Sequence, residues 1–267
     1  MMGYSHAVSG VAVGGAFVAA LPAPWPAEAL AVAIFGGAAL LPDIDHVGST
    51  VARSLGPITN TISRLVDWIS VELYHATRTP LDPASRDGGH RLITHTPVGS
   101  AVMATLFGVA FWWGPVSCAV AVALVCALLA HGTRTVSKPL LRKLMGFRGA
   151  VAPTVALVSG AVAYGVSYWY PGWWWLYALA VFGGCLIHRE GDWCTNSGVP
   201  YRRWPMLVDG CRWAKSKAPA TFDTGKHYEL YVVRPLLYLG CLAGFLAAIG
   251  QLDTVAGLAW KLASGGF

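Results

Sequence analysis

The stretch Leu41-Pro42-Asp43-Ile44-Asp45-His46 sets two carboxylates and an imidazole close together on a short length of chain. These are ligand types for a divalent cation, and a water activated by such a cation attacks phosphoesters. In a soluble chain the same run is usually a solvated turn. Here it follows an apolar phase, because residues 7–41 hold one charged side chain, Glu28. Ionisable groups at the edge of such a phase are costly unless they are paired or bound to metal.

Further donors recur along the chain. His6 stands ahead of the first apolar run, and His90 and His95 lie in Gly89-His90-Arg91-Leu92-Ile93-Thr94-His95-Thr96-Pro97. His188-Arg-Glu-Gly-Asp192 has i, i+4 spacing, which on a helix turns both side chains to one side. Mixed imidazole and carboxylate favours zinc, manganese or iron, whereas an all-oxygen set would suit magnesium or calcium. His6, Asp43, Asp45, His46, His90, His95, His188, Asp192 and Glu229 exceed the needs of one tetrahedral ion. Two or three ions with a bridging Asp is the economical expectation, with Asp45 or Glu229, if unliganded, as general base. Arg91 suits a phosphate contact or a structural pairing with a carboxylate.

The elements that must position these groups are apolar. The chain has 267 residues, 55% of them hydrophobic and 12% charged, with mean hydropathy +0.52. Too little charged surface is present for an ordinary soluble domain. The reading is an all-α, polytopic membrane bundle, one domain over residues 1–267. Its apolar segments run over about 7–21, 27–41, 98–113, 115–131, 150–170, 172–188 and 230–249, and pair as helical hairpins. The first two legs are short against a bilayer, so partial immersion or local thinning is expected. Hairpin geometry returns the chain to the side it left, which carries His6 to Asp43, Asp45 and His46. Ile58, Ile62, Leu65, Val66, Ile69 and Leu73 recur at helical spacing and predict an amphipathic helix on the membrane surface. Thr96 is placed to cap a helix whose first residue is Pro97. A tail over Thr254 to Leu262 is too short to span.

Of the 19 basic residues, 18 lie in segments 47–97, 132–149 and 189–234, the middle one holding Arg134, Lys138, Arg142, Lys143 and Arg148. The turns rich in Pro and Trp hold none. By the positive-inside rule, the basic segments face the cytoplasm and the Trp turns form the far interface. All ligand clusters then fall on one face, so the metal site is expected at the cytoplasmic side.

Several classes are disfavoured. The six cysteines form no CxxC pair, which points away from a disulfide framework or zinc knuckle. No basic stripe with interleaved aromatics is present, so nucleic acid is not an expected partner. Neither a Gly-x-Ser-x-Gly elbow nor an HExxH is found. The N-terminus lacks the basic n-region of a signal peptide and is expected to stay in the mature protein. His131 reads as an interface histidine, His75 and His227 as solvated, Cys194 as packing, and Thr195 as a donor to Asp192.

The order His6, LPDIDH, GHRLITHT and HREGDWCTNSGVP resembles the YdjM-like family of inner-membrane, metal-dependent hydrolases. That pattern runs as an early His, LPDxDH, HRGxTHS and HxxxDxxTxxGxP, with a later Glu after Gly-Lys, here Gly225-Lys226-His227-Tyr228-Glu229. The resemblance implies a polytopic membrane hydrolase, distantly similar to the all-helical zinc phospholipase C and P1 nuclease group. By matching position it implies the ligands His6, Asp43, Asp45, His46, His90, His95, His188, Asp192 and Glu229. Leu92 stands in place of the usual Gly and Thr96 in place of Ser, one more residue precedes Trp204-Pro205, and an extra hairpin falls between His95 and His188. These departures touch the substrate pocket more than the metal site. The expected function is hydrolysis of a phosphoester in a lipid or lipid-linked substrate, with membrane lipid as partner. A metal transporter or sensor is a weaker alternative, since residues 98–131 and 150–187 offer no ionisable group at mid-depth. A structural metal site is the other alternative, because it would use the same residue types.

Overall fold

Proline at helix starts and small residues at helix crossings set the architecture. The computed structural model describes residues 1–82, 90–134, 139, 143, 151–200 and 204–248. Most of the basic segment 132–149, including Lys138, Arg142 and Arg148, lies outside the described residues, as do Gly89 and the tail from Thr254. Helix α1 (Gly3–Val18) and α2 (Trp25–Ala38) form the first hairpin, with Pro24 extended at the N-cap and Pro26 in the first turn of α2. A 3-10 turn, Leu41–Asp45, carries the first ligand cluster. Helix α3 (Pro57–Thr77) follows, then a second short turn, Ile93–His95.

Thr96 caps α4 (Pro97–Trp112), its side chain accepting from the Gly99 N–H, with Pro97 in the first turn as predicted. Gly114, at φ 144°, reverses the chain into α5 (Pro115–Gly132). Helices α6 (Val151–Trp169) and α7 (Trp174–Trp193) come next. A small antiparallel ribbon sets β1 (Val199–Pro200) against β2 (Lys215–Ser216), and a π-turn, Glu229–Val233, leads into α8 (Arg234–Ala248). Three helical stretches, Trp25–Asp45, Pro115–Gly132 and Val151–Trp169, are long and apolar enough to cross a membrane.

Helix α2 is the centre, packed by α1, α5 and α7. Its residues Ala31, Ile34 and Ala38 are fully buried. Each neighbour reaches it through a glycine crossing: a Cβ at Gly10 of α1 or Gly184 of α7 would lie 2.6 Å from the Phe35 carbonyl oxygen. A Cβ at Gly37 of α2 itself would lie 2.1 Å from the Val125 carbonyl of α5. Where surrounding solvent is as apolar as the side chains, close backbone approach of this kind supplies the packing energy. The expected third hairpin is corrected in one respect. Helix α6 lies along α5, while α7 packs on α4, α2 and α1, so its two legs separate. The reason is the surface each offers: α7 brings Gly184, Ala180 and Cys185 to the central helix, whereas α6 buries only Gly160, Ala163 and Val166.

Helix α3 packs on both ligand-bearing turns. Its far end is pinned to the segment 204–213 by Asp82, whose carboxylate accepts from the backbone N–H groups of Thr79 (2.8 Å), Trp213 (2.8 Å) and Arg212 (3.2 Å). Tyr74, Leu92, Trp204 and Trp213 form a small core beneath this pin.

Two outcomes follow from this packing. Gly37→Leu forces α5 off α2 and lowers stability by about 1–3 kcal/mol, read as a drop in thermal midpoint in detergent. Burial alone would raise the Asp82 carboxyl, but the N–H donors around it outweigh burial and hold it below its ordinary value. A group depressed on folding stabilises fully above its unfolded value of about 3.9 and loses that contribution as pH falls through the lower folded value. Asp82→Ala is therefore expected to cost about 1–3 kcal/mol at neutral pH and far less near pH 2, checked by denaturation at both.

Candidate metal centre

Four chain segments converge at one end of the bundle. The turn after α2 presents Asp43 and Asp45, the turn before α4 presents His95, the last turns of α7 present His188 and Asp192, and the start of α1 presents His6. Asp43, His95, His188 and Asp192 each offer one ligand atom, and these atoms all lie within 4.8 Å of one another. The Nε2 atoms of His95 and His188 are 3.1 Å apart. Asp43 Oδ1 lies 3.4 Å from His188 Nε2 and 3.9 Å from His95 Nε2, and Asp192 Oδ2 lies 3.7 and 3.5 Å from them. A tetrahedral ion with N and O bonds of about 2.0–2.1 Å separates its ligand atoms by about 3.3 Å. The side chains are already set at that spacing.

The remaining hydrogen bonds decide which ring atoms face inward. His188 Nδ1 is 2.8 Å from the Ala39 carbonyl, which can only accept, so Nδ1 carries the proton and Nε2 turns a lone pair to the cluster. Thr94 Oγ1 donates to Asp45 Oδ2 (2.5 Å) and accepts from His95 Nδ1 (2.9 Å). That chain leaves His95 Nε2 as the second inward donor. Two imidazole lone pairs and two carboxylates facing one another in a buried space repel unless positive charge lies among them; the Arg91 guanidinium and the Met1 ammonium, both on Asp192, supply part of it, and a metal ion or a proton would supply the rest. His6 adds to the case: it stacks on His188 with centroids 3.8 Å apart, and neither of its buried ring nitrogens makes a hydrogen bond among the described residues, though Nε2 is 3.2 Å from Asp192 Oδ1.

Asp45 is buried and serves as the hub behind the cluster. It accepts from His90 Nδ1 (2.8 Å), the Arg91 backbone N–H (3.0 Å) and Thr94. His46 and His90 lie beside it with ring centroids 5.0 Å apart, His46 exposed and His90 about one-third exposed. Arg91 has φ 60°, a backbone region that favours glycine, and is held there from both ends. Its N–H binds Asp45, while its guanidinium meets Asp192 Oδ2 (2.8 Å), Thr195 Oγ1 (3.2 Å) and the Gly198 carbonyl (3.1 Å). The opening is on the side of Asp43, whose side chain is 22% exposed against 1% or less for His95, His188 and Asp192.

Several expected residues fall elsewhere. Glu229 is fully buried but accepts the backbone N–H groups of Met2 (2.8 Å) and Gly225 (2.7 Å), outside the four-residue group. His131, read from the sequence as an interface histidine and not a ligand, lies 3.4 Å from Arg134. Thr195 donates to the Asp192 backbone carbonyl (2.7 Å), not to its carboxylate, because it sits in the turn just beyond the helix end. The cysteines described are all free thiols. Sequence reasoning missed Thr94 as the link between Asp45 and His95, and the Ala39 carbonyl as the group that orients His188. The only signal for Thr94 was a hydroxyl directly before a ligand histidine.

The fold and site together define a helical protein with membrane-length apolar helices and a His/Asp cluster able to hold a metal ion. Residues 1–133 match the family described as YdjM inner membrane protein, a stretch that includes His6, the LPDIDH turn, His90 and His95 and stops before His188 and Asp192. No curated protein and no solved structure matches the chain.

Burial alone would lower the His95 imidazole, but the carboxylates of Asp45 and Asp192 outweigh it and raise it to about 9. Without metal, His95 therefore keeps a proton at neutral pH that an incoming ion must displace. Metal affinity is expected to rise about tenfold per pH unit between pH 6 and 8, with proton release visible by calorimetry in buffers of different ionisation enthalpy.

Proposed function

We propose that this chain is a multi-pass inner-membrane hydrolase whose metal centre faces the cytoplasm and cleaves a phosphoester in a lipid or lipid-linked substrate. The observation that carries the reading is the set Asp43, His95, His188 and Asp192, with inward lone pairs at tetrahedral spacing and an opening on the Asp43 side. Two imidazoles with two carboxylates suit zinc best, and manganese or iron next. Asp45, His46 and His90 lie next to the group and would hold a second ion. A bound divalent ion would supply a water of lowered pKa and a positive charge for the phosphoryl oxygens.

The chain's own residues account for the rest. Where Asp45 holds no ion, it is placed to take a proton through His90, which leads from the buried carboxylate toward solvent. Arg91 positions Asp192, its guanidinium being held by Asp192, Thr195 and the Gly198 carbonyl, and a substrate phosphate would reach it only by competing with these partners. Burial of His95, His188 and Asp192 excludes water from behind the reacting centre. The family match over residues 1–133 supports the inner-membrane part of the reading, and the clustering of basic residues at the ligand end supports the cytoplasmic orientation.

Purified protein is expected to carry at least one zinc-class ion per chain by mass spectrometry and to hydrolyse phospholipid or a generic phosphodiester in a metal-dependent manner. Asp43→Ala and Asp192→Ala are each expected to reduce turnover by about 10²–10⁴ and to lower metal content. Metal bound without turnover on a broad panel of phosphoesters would establish a structural site instead. Metal flux in proteoliposomes would establish a transporter.

A further inference from the structure

Helix α3 turns most of its large apolar side chains outward, Val66 and Leu73 being partly buried against the apolar clusters. Its buried positions are Thr59, Ser63, Ser70 and Tyr74, and the side-chain hydroxyls of Ser63 and Ser70 make no hydrogen bond among the described residues. Its outward positions include Ile58 (66% exposed), Ile62 (46%), Leu65 (53%), Trp68 (59%) and Ile69 (45%). These fall at i, i+4, i+7 and i+11 with Trp68 alongside, a continuous stripe over three turns. A helix bathed in water would present the opposite arrangement.

Three observations identify what meets this stripe. The polar face of α3 packs on the turns Leu41–Asp45 and Ile93–His95, where α2 ends and α4 begins. The helix therefore covers the end of the bundle at which α2 stops and α4 starts. The stripe is too short to span a bilayer and is bounded by Glu72 at its C-terminal end, so it suits a helix lying in the plane of the interface. Exposed Arg64, on the flank of the helix, complements lipid phosphates, and Trp68 is a residue type that settles at that level.

We propose that the outer face of α3 is seated in the phospholipid headgroup layer, so that the helix is a roof with lipid on one side and the metal-bearing turns on the other. The bilayer surface is thus the partner of this helix, independently of what the centre does. Its consequence, which does rest on the lipid-hydrolase reading, is that a substrate headgroup reaches the Asp43 side laterally from the membrane.

The test places the photo-crosslinking residue benzoylphenylalanine at position 65 or 69, and at the exposed position 196 as control, in full-length protein in phosphatidylethanolamine/phosphatidylglycerol nanodiscs. Phospholipid adducts at 65 and 69, several-fold above those at 196 by mass spectrometry, are the expected result. Covalent dimers in place of lipid adducts would make the stripe a contact between copies of the chain and overturn the proposal. Yields equal to the control would leave the stripe facing water and overturn it equally. Metal content, measured on the same samples, reports separately on folding and on the centre, so a loss there tells against the hydrolase reading and not against the seating of α3.

Discussion

Everything at the ligand end of this molecule depends on one electrostatic problem: two imidazole lone pairs and two carboxylates turned toward one another where water scarcely enters. Hydrogen bonding fixes that orientation. The Ala39 carbonyl commits the Nδ1 proton of His188, and the Asp45 to Thr94 link commits that of His95. With those protons placed outward, the two imidazole lone pairs and Asp43 need positive charge among them, while Asp192 already meets the Arg91 guanidinium and the Met1 ammonium. In the absence of an ion, a proton on His95 adds to the charge that Arg91 and the Met1 ammonium bring to Asp192.

The bundle is shaped by the need to bring those atoms together. They come from α1, from the turns flanking α2 and α4, and from α7, so no single hairpin can assemble them. The central position of α2, reached by backbone approach at Gly10, Gly37 and Gly184, holds the end of α7 against the turn that follows α2. A small residue at each crossing thus acts at a distance on the spacing between Asp43 and His188. Arg91 secures the same junction from the other side, since its backbone holds Asp45 and its side chain holds Asp192, and this double engagement supports its left-handed backbone.

The ligand end is layered. Buried donors lie at the bottom, Asp45 and its partners form a polar support beside them, and α3 covers the turns. The far end carries exposed Trp25, Trp112, Trp113 and Trp169, the residue type that favours a membrane interface. One axis of the molecule therefore runs from an aromatic rim to an ionisable rim, with helices that hold few charges between them.

By itself, the sequence determined the helices and most of the donors. Apolar runs interrupted by Pro, Gly and Trp give helix ends directly, because proline's fixed φ and missing N–H act locally. His6, Asp43, His95, His188 and Asp192 were legible because ionisable residues at the margins of apolar runs have few other reasons to be there. Tertiary structure alone decided which of the donors share one point, since that depends on helix crossings and not on spacing along the chain. It brought Asp43, His95, His188 and Asp192 together, turned Glu229 to backbone N–H groups, separated α6 from α7, and made Thr94 a link between two ligands. Periodicity showed that α3 has an apolar stripe, and packing decided that Thr59, Ser63, Ser70 and Tyr74 are the positions buried as the helix covers the turns that carry Asp43 and His95.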